Sequence, residues 1–355
     1  MLAPDHTISE FALPELDLRA LARRVGPPML LAGAAVAVVF LAGGRVQAFA
    51  DAASRGLSVS PGWAAVGAIF ECISLAGYVG LLSLVLGRAS SRVGARESAQ
   101  ITFAGAAATR LLPTAGAGGV ALTMWTLRRA GLRPQAVART LLVFMLVLYS
   151  VFLLAIVVSG AAVALGLAGR GGPAELSAIP AVGAMLPIAL CLVLAGRGRA
   201  ESETLHASRL GDRGYRSRLV AGGRLVGDAA RDACRLVRGG DPRLAGAIAY
   251  WTFDAAVVWA MLNAFGSPAA LPVIALAYFV GQVANTLPLP GSVSAGMAGV
   301  LIAFGVPAAL AIPSVLAYRA IAVWLPSPVA VAAVPALRST IARWQDEDAA
   351  QAART

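Results

Sequence analysis

Ala284-Asn285-Thr286-Leu287-Pro288-Leu289-Pro290-Gly291-Ser292-Val293-Ser294-Ala295-Gly296-Met297 sets a run of helix breakers between two apolar segments. Pro288 and Pro290 lack amide donors and push the residues before them out of the α region, while Gly291, Gly296, Ser292 and Ser294 favour irregular backbone. A continuous helix through this stretch is excluded. In a bilayer, irregular backbone is tolerated only where protein or a water-filled cavity satisfies its polar groups. Thr109-Arg110-Leu111-Leu112-Pro113-Thr114-Ala115-Gly116-Ala117-Gly118-Gly119-Val120 follows the same pattern. Both stretches read as the centres of re-entrant pairs of half-helices, with Pro113, Gly116, Gly118, Gly119, Pro288, Pro290 and Gly291 as the structural breaks.

The surrounding chain has the composition of a polytopic membrane protein. Its 355 residues are 58% hydrophobic and 13% charged, with a mean hydropathy of +0.76, far more apolar than soluble domains of this length. Aromatics are only 6%, so an all-α bundle packed through small residues is expected rather than a β-barrel. The net charge of +11 comes from arginine alone, because the sequence has no lysine. These arginines cluster between apolar runs with few aromatics among them, the pattern of loops near anionic headgroups rather than of a nucleic-acid surface. Cys72, Cys191 and Cys234 have no paired spacing, and His6 and His206 lie outside the apolar spans. No metal site or cofactor is expected. Gly116 to Gly119 lacks the Lys-Ser/Thr of a phosphate loop.

In chain order, a cytoplasmic N-terminal segment (1-25) precedes a membrane domain (26-340) whose first span is Pro27 to Ala42. Further spans are expected at Gly62 to Gly87, Thr140 to Ala168, Leu176 to Ala195, Leu244 to Phe265 and Ala308 to Leu337. The broken pairs occupy 98-112 with 115-127, and Leu271-Leu287 with Gly291-Phe304. A basic cytoplasmic loop, 197-243, carries eleven arginines, and its second half, with Leu219, Val220, Leu236 and Val237, reads as a surface amphipathic helix. The cytoplasmic tail 341-355 is polar and expected to fray.

Landmarks recur in the same order in two units, about 61-168 and about 244-337. Phe70-Glu71 matches Phe253-Asp254, Leu112-Pro113 matches Leu287-Pro288, and Gly131-Leu132 matches Gly305-Val306, at offsets of 183, 175 and 174 residues. Each unit reads span, broken pair, span. Counting crossings puts the start of the second unit on the opposite face from the first, the inverted-repeat plan of many transporters. Arginine placement agrees. With both termini cytoplasmic, 24 of the 29 arginines fall inside, while Arg45, Arg55 and Arg170 fall outside.

The remaining two, Arg110 and Arg319, lie with Glu71 and Asp254 inside apolar segments. A charge at mid-bilayer costs at least about 2.5 to 3.5 kcal/mol, so such residues face a cavity or one another. Two ion pairs locking the bundle would be the structural explanation. The functional one is an anion site, with guanidinium forks on a phosphate and half-helix amides beside them. Thr109, Thr114, Asn285, Thr286, Ser292 and Ser294 sit at the breaks, where they either satisfy loose backbone or contact substrate. Gln282 is a further polar group of the second pair.

At these breaks the chain resembles the flippase-like membrane family that includes the transmembrane half of bacterial lysylphosphatidylglycerol synthetase. The resemblance is carried by Leu112-Pro113 through Gly118-Gly119, Leu127-Arg128-Arg129-Ala130-Gly131-Leu132, Leu287-Pro288-Leu289-Pro290-Gly291, Ala303-Phe304-Gly305-Val306-Pro307, and Ala317-Tyr318-Arg319 through Trp324-Leu325-Pro326. It implies a multi-pass protein of the bacterial inner membrane with two re-entrant segments, moving a lipid headgroup between leaflets. Where the family usually continues into a Gly-rich segment ending in an acidic residue, this chain has Ser292-Val293-Ser294-Ala295-Gly296-Met297.

The expectation is a non-enzymatic lipid flippase for an anionic or polyprenyl-linked lipid, with membrane lipids, and a lipid or cell-envelope synthase, as partners. The alternatives are a secondary transporter or channel for a small soluble anion, and a non-transporting scaffold that docks such a synthase through 197-243. A membrane-embedded enzyme ranks last, because the apolar spans hold no histidine and no nucleophile-base pair.

Overall fold

Pro61 has no amide hydrogen to lose at a helix start, and α1 (Pro61–Ala89) begins on it and runs 29 residues. At about 1.5 Å per residue that is roughly 44 Å, enough to cross a bilayer. The structure, a computed structural model, describes residues 59-111, 117-167, 173-204, 215-266, 269-284 and 291-354. The expected first span, Pro27 to Ala42, lies outside the described residues, as do segment 1-25 and Pro113, Thr114, Gly116, Asn285, Thr286, Pro288 and Pro290. All the regular structure described is helical.

After α1 come the short helices α2 (Ala95–Leu111) and α3 (Ala117–Arg129), then the long α4 (Pro134–Ala164), again started by a proline. The order recurs later as α7 (Ala245–Ala264), the short pair α8 (Leu271–Val283) and α9 (Ser292–Ala303), and α10 (Ala308–Trp324). Between the two sets lie α5 (Ala174–Thr204), unbroken despite Pro180 and Pro187, and α6 (Tyr215–Arg238). The short helices hold 17, 13, 13 and 12 residues, each below the about 20 needed to span a hydrocarbon core. Five helical stretches among the described residues are long and apolar enough to cross a membrane. Ile179, Leu186 and Leu190 on α5 and Leu154 and Val158 on α4 are exposed, as lipid-facing side chains must be.

The two sets meet where α1 crosses α7. A Cβ added to Gly77 would stand 2.7 Å from the Gly246 carbonyl oxygen, and one added to Gly246 would stand 2.3 Å from that of Gly77. Only glycine permits this approach. Ser74 Oγ donates to the Tyr250 carbonyl at 2.9 Å, and Phe70 and Phe253 pack at 5.6 Å. Contacts pair falling numbers on α1 with rising numbers on α7, so the two helices run antiparallel. Each short pair is closed by its own glycine contact. A Cβ on Gly119 would meet Thr109 Oγ1 at 2.7 Å and the Gly105 carbonyl at 3.0 Å, and one on Gly281 would collide with Met297.

One expectation is refined and two are corrected. The span expected at Ala308 to Leu337 falls in a stretch, Ala308–Ala352, that is long and apolar enough to cross, with α10 ending at Trp324 and α11 (Ser327–Ala352) starting after Leu325-Pro326. Segment 341-355 is not a frayed tail: α11 continues to Ala352 and buries Ile341 and Trp344. Thr340 Oγ1 donates to Gln100 Oε1 of α2 at 2.9 Å, and Asp348 is ion-paired with Arg92. Third, α6 turns Ala229, Ala233 and Leu236 inward onto the bundle and leaves Val237 exposed, so its apolar stripe is covered by protein.

Gly246→Val should destabilise the bundle by about 1 to 3 kcal/mol through overpacking, read as a lowered Tm in detergent. Gly299→Ala, where a Cβ meets nothing within 4 Å, should leave Tm unchanged or higher. Removing residues 341-355 should also lower Tm, because it uncovers the α2 surface on which Trp344 packs; an unchanged Tm would contradict that packing.

Candidate functional site

From the Gly77–Gly246 crossing, Glu71 lies six residues back along α1 and Asp254 eight residues on along α7, so the antiparallel helices carry both acids to one level. Both are buried, 5% and 8% exposed. Tyr278 of α8 donates to Asp254 Oδ2 at 2.5 Å, and Tyr318 of α10 donates to the same oxygen at 3.3 Å. Gln282 Nε2 extends the chain to the Tyr318 hydroxyl at 3.4 Å. Glu71 reaches the Asp254 carboxyl from α1, while Arg319 acts on Asp254 only through space. The two hydroxyl bonds, both to Oδ2, offset part of the cost of burying this carboxyl group.

These groups border a cavity of about 480 Å³. Glu71, Asp254, Gln282 and Arg319 face it, together with Thr109 and Gly119 of the α2–α3 pair. Thr109 Oγ1 accepts the Gly119 amide at 3.0 Å. Its hydroxyl therefore satisfies loose backbone near the start of α3 while also standing at the cavity wall. Arg319 is half-buried and makes no ion pair within 4.0 Å among the described residues. Tyrosine hydroxyls rather than Arg319 contact Asp254, and the guanidinium faces the cavity.

Of the sequence candidates, Glu71, Asp254, Thr109 and Arg319 come together. Ser292 and Ser294 begin α9 and do not line the cavity. Gly291, at φ +80°, holds the left-handed turn before α9, and Gly118 is buried in the first turns of α3. Arg110 sits in the last turn of α2, and its side chain lies outside the described residues with Thr114, Asn285 and Thr286. The tyrosines were not anticipated: Tyr78, Tyr149, Tyr250 and Tyr318 line the cavity and Tyr278 stands behind Asp254. Five of the chain's six tyrosines gather here, and their scarcity elsewhere was the one signal available.

The family model described as the lysylphosphatidylglycerol synthase TM region matches residues 22–330. The chain belongs to that family. The lysylphosphatidylglycerol synthase TM region takes in both short pairs, the two acids and Arg319, and ends within the first turn of α11. A search of curated proteins gives no match.

Tyr278→Phe removes a donor to a buried charged acceptor and should cost about 1.5 to 3 kcal/mol. In an Asp254→Ala background the same change should cost far less. Denaturant unfolding of the four proteins of this double-mutant cycle in one detergent measures the coupling, and additive effects would deny the bond its role.

Proposed function

We propose that this membrane domain moves the headgroup of an anionic or polyprenyl-linked lipid between the leaflets of the cytoplasmic membrane, while the acyl chains stay in the bilayer. The observation that carries the reading is Arg319: a guanidinium within the span-forming segments, bordering a cavity and free of any ion pair among the described residues. A cation held at that depth without a carboxylate in contact fits an anionic visitor, and phosphate is the group its fork matches best. Glu71 and Asp254 then act as the opposing charge that prevents the anion from staying bound.

The shortness of α2, α3, α8 and α9 supports two re-entrant hairpins, and the antiparallel crossing of α1 with α7 supports units inserted in opposite senses. Both termini on the cytoplasmic side follow from the arginine bias. In this reading the chain transports lipid without altering it chemically, and a lipid or cell-envelope synthase is its natural neighbour.

The purified protein in liposomes should speed leaflet exchange of fluorescent anionic lipid over empty liposomes. Arg319→Ala should slow it about tenfold or more, and Arg319→Lys should fall between, since a point charge lacks the bidentate fork. Exchange no faster than in empty liposomes for every anionic or polyprenyl lipid tried would sink the reading. Uptake of a water-soluble anion instead would favour a soluble-anion transporter. No exchange in liposomes, with cellular function kept by Arg110→Ala and Arg319→Ala and lost on replacing the arginines of 197-243, would favour a non-transporting scaffold.

A further inference from the structure

A second concavity, of about 600 Å³, lies away from Arg319, where the last turn of α1, the α3–α4 turn and the last turns of α6 meet. Arg88, Arg139, Arg235 and Asp232 supply its charges, over a floor that includes Leu132 and Leu236. Asp232 fixes two of the forks: Arg139 Nε bonds its Oδ2 at 2.5 Å, and Arg235 is ion-paired to its other oxygen. Arg88 makes no ion pair within 4.0 Å among the described residues. Its nearest acid on the loop after α6, Asp241, is already held by Arg243 through bonds of 3.1 and 2.9 Å. Three guanidinium groups against one carboxylate leave the pocket with a charge of about +2, and the Asp232 carboxylate pre-positions two of the three.

Its depth is set by the helices around it. Arg88 closes α1 and Arg139 lies in the second turn of α4, so the pocket stands where the spans end and headgroups begin. Arg88, Arg139 and Arg235 are exposed and rim a recess whose floor is apolar. That combination suits a phosphodiester with its glycerol and first methylenes better than a free ion. We propose that this pocket binds the phosphate headgroup of an anionic glycerophospholipid, held by Arg88, Arg139 and Arg235, as a resident lipid that fastens α6 to the end of α1. The site is separate from the Arg319 cavity and stands whether or not the chain moves lipid.

The test follows the Tm of the full chain in a neutral detergent while phosphatidylglycerol, phosphatidylcholine or inorganic phosphate is added. Phosphatidylglycerol should raise Tm, phosphatidylcholine should not, and Arg88→Gln/Arg235→Gln should need about tenfold more phosphatidylglycerol for the same rise. Arg88→Lys/Arg235→Lys should recover part of the response, which separates lost binding from lost folding. An equal rise with inorganic phosphate, or an unchanged response in the double glutamine variant, would overturn the assignment.

Discussion

The approach of Gly77 to Gly246 is the constraint on which the described structure turns. With no Cβ on either side, the backbones of α1 and α7 come close enough that a methyl group on Gly246 would stand 2.3 Å from a carbonyl oxygen. Helices in a bilayer gain little from hiding apolar surface, since lipid tails are as apolar as leucine, and they associate by close packing and a few polar bonds. The Ser74 bond to the Tyr250 carbonyl supplies one such polar contact beside the crossing. Because the helices oppose one another, the crossing also fixes where Glu71 meets Asp254.

That placement makes the cost of buried charge decisive. An isolated carboxylate in the span region would be strongly unfavourable, and the fold answers with hydroxyls rather than with the nearest arginine. Tyr278 and Tyr318 come from the second short pair and from α10, so the acid of α7 ties together three elements of its own unit. Meeting the acid's need with neutral donors has a consequence for charge. Arg319 borders the cavity without an ion pair among the described residues and meets Asp254 only through space.

The two basic regions obey different rules. At Arg319 a single guanidinium is set among apolar spans, and its cost is met by the cavity. At the end of α1, two arginines are organised by Asp232 at the rim of a recess. The amphipathic α6 belongs to this second region. Its apolar stripe of Ala229, Ala233 and Leu236 is used up against the bundle, which turns a helix that might have lain on lipid into a wall of the pocket.

Local chemistry wrote part of this plainly. Proline and glycine act on their own residues and neighbours, so short helices on either side of the Pro/Gly-rich stretches and the apolar spans could be read directly, as could the two acids and Arg319 in apolar surroundings. Leu325-Pro326 separates α10 from α11, whereas Pro180 and Pro187 lie inside α5, so a proline in an apolar run does not by itself say whether a helix ends. The docking of Trp344 and Thr340 on α2 depends on residues about 240 positions apart, and polar composition alone made that segment look like a tail. The same holds for the tyrosines: nothing in the residues around Tyr278 or Tyr318 points to an acid 24 or 64 positions away. The sequence by itself determined a helical membrane protein with several apolar helices and charges among them, since hydropathy and backbone restriction are properties of short segments. Which charges are answered by hydroxyls, which guanidinium stays open and where α6 lies were decided by the tertiary structure, because burial and hydrogen bonding in three dimensions depend on contacts between helices that no local pattern encodes.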